Sequence, residues 1–189
     1  NDISDFTFYF VGDIDEKNLL DNCRTYLGTI PTEGKKEKIE YLTKKFPKGI
    51  KEDVVYKGQD QGYVTLCFGG EMGPAKDERE IYKDRQIMNL LSELLTIRLR
   101  EVIREDKSGS YGVSVYSSIL SSPNREYYVF IEFGCEPERA EELKKEVIKQ
   151  VEIVRKELVN DEYITKLMET YKRNRETNLK DNGWILNTL

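Results

Sequence analysis

The amino-acid sequence predicts an α+β fold: a two-layer sandwich in which one mostly antiparallel sheet carries helices on one face. The apolar pattern switches repeatedly between the two-residue period of strands and the period of about 3.6 residues of helices. The segments follow the order strand, helix, two strands, helix, two strands, two helices. Strands that occur in neighbouring pairs favour antiparallel hairpins, which the helices then cover on one side.

The first predicted strand, Phe6 to Ile14, is rich in aromatic and β-branched residues. Apolar residues on both of its faces favour a central position in the sheet. Asp15 is expected to cap the helix that follows, whose apolar residues recur at helical spacing. Gly28 and Pro31 are expected to end this helix. The lysine-rich stretch after it is interpreted as a solvated connection on the surface.

Two further strands, Ile50 to Gly58 and Gly62 to Met72, are expected to form a hairpin, because the turn-rich GQDQG lies between them. In the second strand, one face comprises Val64, Leu66 and Phe68. The GGEMG at its end lacks the Lys-Ser/Thr of a phosphate-binding loop and does not open directly onto a helix. We interpret it as a strand-end turn.

The longest helical pattern runs from Asp77 to Arg104. Its apolar stripe comprises Ile81, Met88, Leu91, Leu95, Leu99 and Val102. This helix is expected to pack across a sheet that contains Phe6 to Val11, Val64 to Phe68, Tyr111 to Ser117 and Tyr127 to Phe133.

Two more helices follow the last strand. Pro137 is expected to start the first, and Asn160 or Asp161 to cap the second. The stripe of the first comprises Leu143, Val147, Val151, Val154 and Leu158.

The length of 189 residues suits a single domain over residues 1–189 with a substantial core. The net charge of −5 argues against a nucleic-acid partner. No run of about 18 apolar residues predicts a membrane span. The first residues lack a methionine and show no signal-peptide pattern, so we expect a domain excised from a longer protein, whose targeting signal lies elsewhere.

The sequence contains no histidine. This excludes Ser-His-Asp and Cys-His machinery and removes the commonest zinc ligand. The cysteines are far apart and lack CxxC spacing, so we expect buried free thiols and assign no metal ligand. They are Cys23, Cys67 and Cys135.

Arg104 and Tyr111 lie seven residues apart in IREDKSGSYGVSV, where the longest helix ends and a strand begins. On spacing alone, an arginine at a helix end and a tyrosine packed at a strand start explain both residues. Such a structural arginine is expected to pair with Glu101, Glu105 or Asp106. Alternatively, the tight corner brings guanidinium and phenol together on one surface to bind an oxyanion or a peptide carbonyl.

Four segments in this order resemble one family. They are FTFYFVGDIDEKNLLDNCRTYLGTIP, IREDKSGSYGVSV, YVFIEFGCEPERAEELKKEV and KRNRETNLKDNGWILNTL. The first is similar to the family pattern FVGD-D---L-----YLG--P and the second to LRE-----Y-V. The family is that of the pitrilysin-type zinc peptidases, or inverzincins, which includes insulysin and the mitochondrial processing peptidase. The form SGSYGV resembles a bacterial subgroup, for which we expect a periplasmic or cell-envelope location.

The family signature HxxEH, with a distal glutamate, binds one zinc ion, and nothing in this chain matches it. The resemblance implies a C-terminal-half domain that has no catalytic residue of its own and that supplies Arg104 and Tyr111 to a peptide substrate. Zinc would lie in an N-terminal catalytic half or a partner subunit. Two alternatives stay open: a non-catalytic structural or partner subunit of the same superfamily, and an unrelated α+β interaction module.

Overall fold

A computed structural model describes residues 3–34, 46–55, 58, 60–106, 112–122, 124–157 and 160–188, without the side chains of residues 104–106. The chain divides into two compact units, Asn1–Tyr41 with Thr170–Leu189, and Leu42–Glu169. The helices and strands are α1 (Glu16–Asn22), β1 (Gly62–Glu71), α2 (Glu78–Leu99), β2 (Val113–Leu120), β3 (Glu126–Cys135), α3 (Ala140–Lys156), α4 (Asp161–Asn178) and α5 (Asn182–Thr188). Among the described helices, none is both long and apolar enough to cross a membrane.

The described part of the larger unit contains an antiparallel sheet of strand order β1-β3-β2. Gly62 lies opposite Cys135 and Glu71 opposite Glu126, so β1 pairs with β3 over its whole length. On the other side of β3, Val113 of β2 also lies opposite Phe133. The central strand is therefore β3, and on each face its side chains lie between those of β1 and β2.

Helices α2 and α3 contact the sheet and each other, which confirms the predicted two-layer arrangement. Leu95 and Leu99 of α2 are buried, and Leu91 is packed against the same core. The buried cluster comprises Leu95, Leu99, Ile103, Val113, Ile131, Phe133, Cys135, Leu143 and Val147. Most residues of the predicted stripes belong to this core or pack against it, namely Leu91, Leu95, Leu99 and Val102 of α2 and its continuation and Leu143, Val147, Val151 and Val154 of α3. Leu158 lies outside the described residues.

The predicted helix starts are confirmed by their capping hydrogen bonds. Asp15 Oδ1 accepts from the backbone N–H of Asn18 at 3.1 Å, and Asp77 Oδ1 accepts from that of Glu80 at 2.8 Å. Asn160 Oδ1 accepts from the N–H of Glu162 at 3.1 Å. Each oxygen satisfies an N–H that has no partner within the helix.

Both α1 and α2 continue into π-helical turns, Cys23–Leu27 and Arg100–Asp106 respectively. The first of these turns ends where Gly28 donates its N–H to the carbonyl of Cys23 at 2.8 Å. A 3₁₀ turn, Pro137–Arg139, precedes α3. The predicted start of that helix at Pro137 therefore holds, although its first turn is tighter than an α-helix.

Two of the predicted strands are wrong. Among the residues that the structure describes, none before Gly62 is assigned to a strand. Phe6 is 61% exposed, and Phe8 and Phe10 are exposed as well. Residues 51–55 also form no strand, so the predicted hairpin with β1 is wrong for these described residues, and residues 56–57 lie outside the described part. Aromatic and β-branched residues favour an extended backbone, but a strand also requires a neighbour whose N–H and C=O groups pair with it.

The interpretation of GGEMG as a strand-end turn is wrong for its first three residues, since Gly69, Gly70 and Glu71 lie within β1. A Cβ atom on Gly69 would come within 2.7 Å of a ring carbon of Phe46, and one on Gly70 within 2.8 Å of a ring carbon of Tyr127. Neighbouring strand residues point to opposite faces of a sheet. The two glycines therefore leave room for one aromatic ring on each face.

Candidate functional site

The predicted pair lies at the junction between α2 and β2. The structure places the backbone of Arg104 in the π-helical turn Arg100–Asp106, while its side chain is outside the described part. Tyr111 lies outside the described residues, and β2 begins at Val113. The convergence of guanidinium and phenol therefore stays a prediction.

The junction is anchored by burial on both sides. Ile103, directly before Arg104, is fully buried, and Val113 belongs to the same core cluster. A side chain on a segment held at both ends by packing loses less freedom when it binds a ligand. Arg104 therefore directly follows a residue of the core.

Glu101, one of the carboxylates that a structural arginine was expected to engage, has another partner. Its Oε2 accepts a short hydrogen bond from the hydroxyl of Tyr163 in α4. This hydrogen bond raises the pKa of the Tyr163 phenol, because the charged carboxylate favours the protonated form. The interaction joins the π-helical turn after α2 to the start of α4.

The structure groups no metal-ligand side chains within the described ranges: no cluster of three or more His, Cys, Asp or Glu residues could hold an ion there. Cys23 is partly buried and Cys135 is buried, whereas Cys67 is exposed, so the expectation of a buried thiol is wrong for Cys67. Burial raises the pKa of the Cys135 thiol, and partial desolvation raises that of Cys67. Neither shift favours the thiolate that binds metals or attacks substrates.

A second candidate site, missed at the sequence level, lies on the side of the sheet that α2 and α3 do not cover. We call it the outer face and define it by alternate residues of the three strands: Tyr63, Thr65, Cys67, Gly69, Glu71, Ser114, Tyr116, Ser118, Leu120, Glu126, Tyr128, Phe130, Glu132 and Gly134. The alternation within β1 was visible in the sequence. The sequence did not show that the aromatic residues of this face are neighbours, because their proximity depends on the register of the three strands.

Glu132 lies at the centre of the open part of the outer face. Its Oε2 accepts a hydrogen bond from the Tyr63 hydroxyl of β1 at 3.0 Å, and its Oε1 accepts one from the Tyr116 hydroxyl of β2, also at 3.0 Å. The Thr65 hydroxyl lies 3.4 Å from Oε1. These hydrogen bonds raise the pKa of both phenols and so keep them protonated as donors.

Aromatic rings surround this carboxylate. Tyr116 stacks on Phe130 with ring centroids 5.1 Å apart and an angle of 15° between the planes. The ring centroids of Phe130 and Tyr128 are 6.3 Å apart, and those of Tyr128 and Phe46 are 5.4 Å apart. Phe46 therefore covers one end of the outer face, while Tyr63 and Tyr116 remain exposed at the other.

An antiparallel sheet covered on one face by two long helices defines an α+β domain. Residues 4–171 match the protein family described as "Peptidase M16 inactive domain". The chain belongs to this family. The resemblance to the pitrilysin-type peptidases and the assignment to a domain without the zinc motif are thereby confirmed.

Known proteins similar to this chain are much longer. A protein of Haemophilus influenzae named "Probable zinc protease PqqL" is 26% identical over 143 residues, which make up 75% of this chain and 14% of that protein. The crystal structure of the periplasmic protease PqqL from Escherichia coli superposes with a TM-score of 0.68 at 20% identity, over 94% of this chain and 19% of that one. That of a protease from Helicobacter pylori gives 0.71 at 21% identity, over 94% and 42%. The α+β fold is thereby confirmed, and the chain spans less than half of each of these proteins.

Proposed function

We propose that this chain is the substrate-binding domain of a zinc metalloendopeptidase, which completes the active site for peptide hydrolysis with Arg104 and Tyr111. The observation that carries the proposal is the match of residues 4–171 to an inactive peptidase domain, in a chain without histidine. Zinc and the catalytic residues then belong to an N-terminal half or a partner subunit. The chain alone hydrolyses no peptide.

The proposed role of the pair follows from the charge that develops during peptide hydrolysis. Attack on the scissile carbonyl places negative charge on its oxygen. The Tyr111 hydroxyl and the Arg104 guanidinium can each donate a hydrogen bond to that oxygen or hold the adjacent peptide group. Such donors act best when they are positioned before the reaction, which the buried flanks Ile103 and Val113 favour.

The residues of this chain do not fit a zinc site themselves. Histidine is absent from the whole sequence, and the described carboxylates and thiols form no cluster of three. The relative from Haemophilus influenzae is named a zinc protease, which supports a zinc ion elsewhere in the full-length protein. The Escherichia coli protein is called periplasmic, which supports the same location in a bacterium for this one.

The zinc content and peptidase activity of the full-length protein test this proposal. We expect about one zinc ion per polypeptide, none in residues 1–189 alone, and peptide hydrolysis that a chelator abolishes and added zinc restores. A full-length protein that holds no zinc and cleaves no peptide, in any subunit combination, would instead support the non-catalytic structural or partner subunit.

A further inference from the structure

The outer face presents aromatic side chains to solvent although the core lies on the other side of the sheet. Tyr63 is 70% exposed and Tyr116 is 46% exposed. The ring of Tyr116 also stacks on that of Phe130. Contiguous exposed aromatic surface on a folded domain is typical of a binding site. Cross-strand packing alone does not require rings of this size on a solvated face.

The charge of this face is of one sign. Strands β1, β2 and β3 contain three glutamates and neither lysine nor arginine, although the chain has 30 lysines and arginines. All three, Glu71, Glu126 and Glu132, lie on the outer face, and Glu71 and Glu126 are directly opposite each other. This opposed pair lies six residues along β3 from Glu132, near Tyr128, so all three carboxylates make the face negative but only Glu132 lies in its open part.

The central carboxylate retains capacity for a ligand. The described donors to Glu132 are three neutral hydroxyls, and a carboxylate offers about four acceptor positions. Neutral donors orient the carboxylate without cancelling its charge. The two phenols therefore fix Glu132 beside the rings of Tyr116 and Phe130, where a cation can contact the carboxylate and an aromatic face together.

We propose that the open part of the outer face binds the lysine or arginine side chain of a peptide, with Glu132 as the charge partner and Tyr116 and Phe130 as the aromatic contact surface. The inference deepens the proposed function, because it gives the peptide a chemical preference, and it rests on that function for the peptide being a substrate. Binding itself needs no hydrolysis and can be measured separately.

The test compares two blocked pentapeptides, Ala-Ala-Arg-Ala-Ala and the same peptide with citrulline in place of arginine. Citrulline keeps the shape of arginine and lacks its charge. Titrations are performed on the 189-residue chain and on the chelator-treated full-length protein. We expect the arginine peptide to bind about tenfold or more tightly, as for a hydrogen bond assisted by charge, and the difference to shrink at high salt.

Glu132→Gln removes the charge and keeps one acceptor oxygen for one phenol, while its NH2 group can donate to the oxygen of the other. We expect this variant to bind both peptides with affinities within about twofold of each other, while Glu138→Gln, at an exposed glutamate outside the outer face, keeps the wild-type preference. Tyr116→Leu should weaken binding of both peptides. Nuclear magnetic resonance spectra of each variant check that the sheet is intact.

Three results would overturn the proposal: no preference for arginine in the wild-type chain, a preference that survives in Glu132→Gln, or an equal loss in Glu138→Gln. Concentration-dependent dimerisation that Glu132→Gln abolishes would assign the face to a second copy and also overturn it. Failure of the proposed function looks different, since the full-length protein would then cleave neither peptide while the binding preference persisted.

Discussion

Truncation of Leu95 to alanine tests the packing of α2 on the sheet. Leu95 is 3% exposed and lies in the cluster that includes Phe133 and Leu143. The change removes three carbon atoms, or about 2.4 kcal/mol at about 0.8 kcal/mol for each buried carbon. The cavity left behind adds to this, so we expect a total loss of about 2 to 5 kcal/mol in the free energy of unfolding.

Urea unfolding followed by circular dichroism measures this loss, and Ile87→Ala on the same helix is the matched control. Ile87 is 50% exposed, and alanine is the better helix former, so its truncation should cost less than about 1 kcal/mol. Leu95→Met, which preserves volume, should cost less than about 1.5 kcal/mol. Equal losses for Leu95→Ala and Ile87→Ala would refute the assignment of Leu95 to the core.

Three further predictions concern stability and metal content. Arg125, whose side chain is 9% exposed, pairs with Asp84 and also donates to the carbonyl of Gly73 at 3.0 Å. Either Arg125→Met or Asp84→Asn should cost about 3 to 5 kcal/mol in urea unfolding, because the remaining residue loses its partner of opposite charge. A double variant as unstable as the sum of both would contradict the pairing. Tyr163→Phe should cost about 1 to 2 kcal/mol through its lost hydrogen bond to Glu101. The hydrogen bond raises the pKa of Tyr163 in the folded chain. The difference in unfolding free energy between wild type and Tyr163→Phe should therefore be constant below about pH 10 and disappear as the phenol ionises above it. A stability difference that is unchanged at higher pH would contradict the assignment. Metal analysis of the dialysed chain should find no stoichiometric zinc; about one zinc ion per chain, lost on mutation of the cysteines, would overturn the expectation.

The sequence predicted the features that depend on residues near one another in the chain or on a regular apolar period. Asp15, Asp77 and Asn160 cap helices because short side-chain oxygens reach nearby backbone N–H groups. The stripe through Leu95 and Leu99 predicted the buried face of α2 because its period is that of the helix. The alternation in β1 likewise predicted its two faces.

Features that depend on distant parts of the chain could not be predicted in this way. Phe6 to Ile14 has the composition of a strand, yet composition does not specify a neighbouring strand. The carboxylate of Glu132 meets Tyr63 and Tyr116 only through the registers of two strand pairs, and neither register is visible in a single segment. For Arg104 and Tyr111, the spacing and the family resemblance together indicated a site, whereas spacing alone did not.

The turnover of a peptide by the full-length protein, with and without the Tyr111 hydroxyl, tests the central claim most directly. Tyr111→Phe should lower the turnover number about 10²-fold or more, as for one lost oxyanion donor, with folding stability nearly unchanged. Arg104→Ala should lower it similarly and also raise KM, while Tyr26→Phe, at an exposed tyrosine of the smaller unit, should leave both constants unchanged. Wild-type turnover in both Tyr111→Phe and Arg104→Ala, in a protein whose hydrolysis depends on zinc, would show that the pair is not part of the active site.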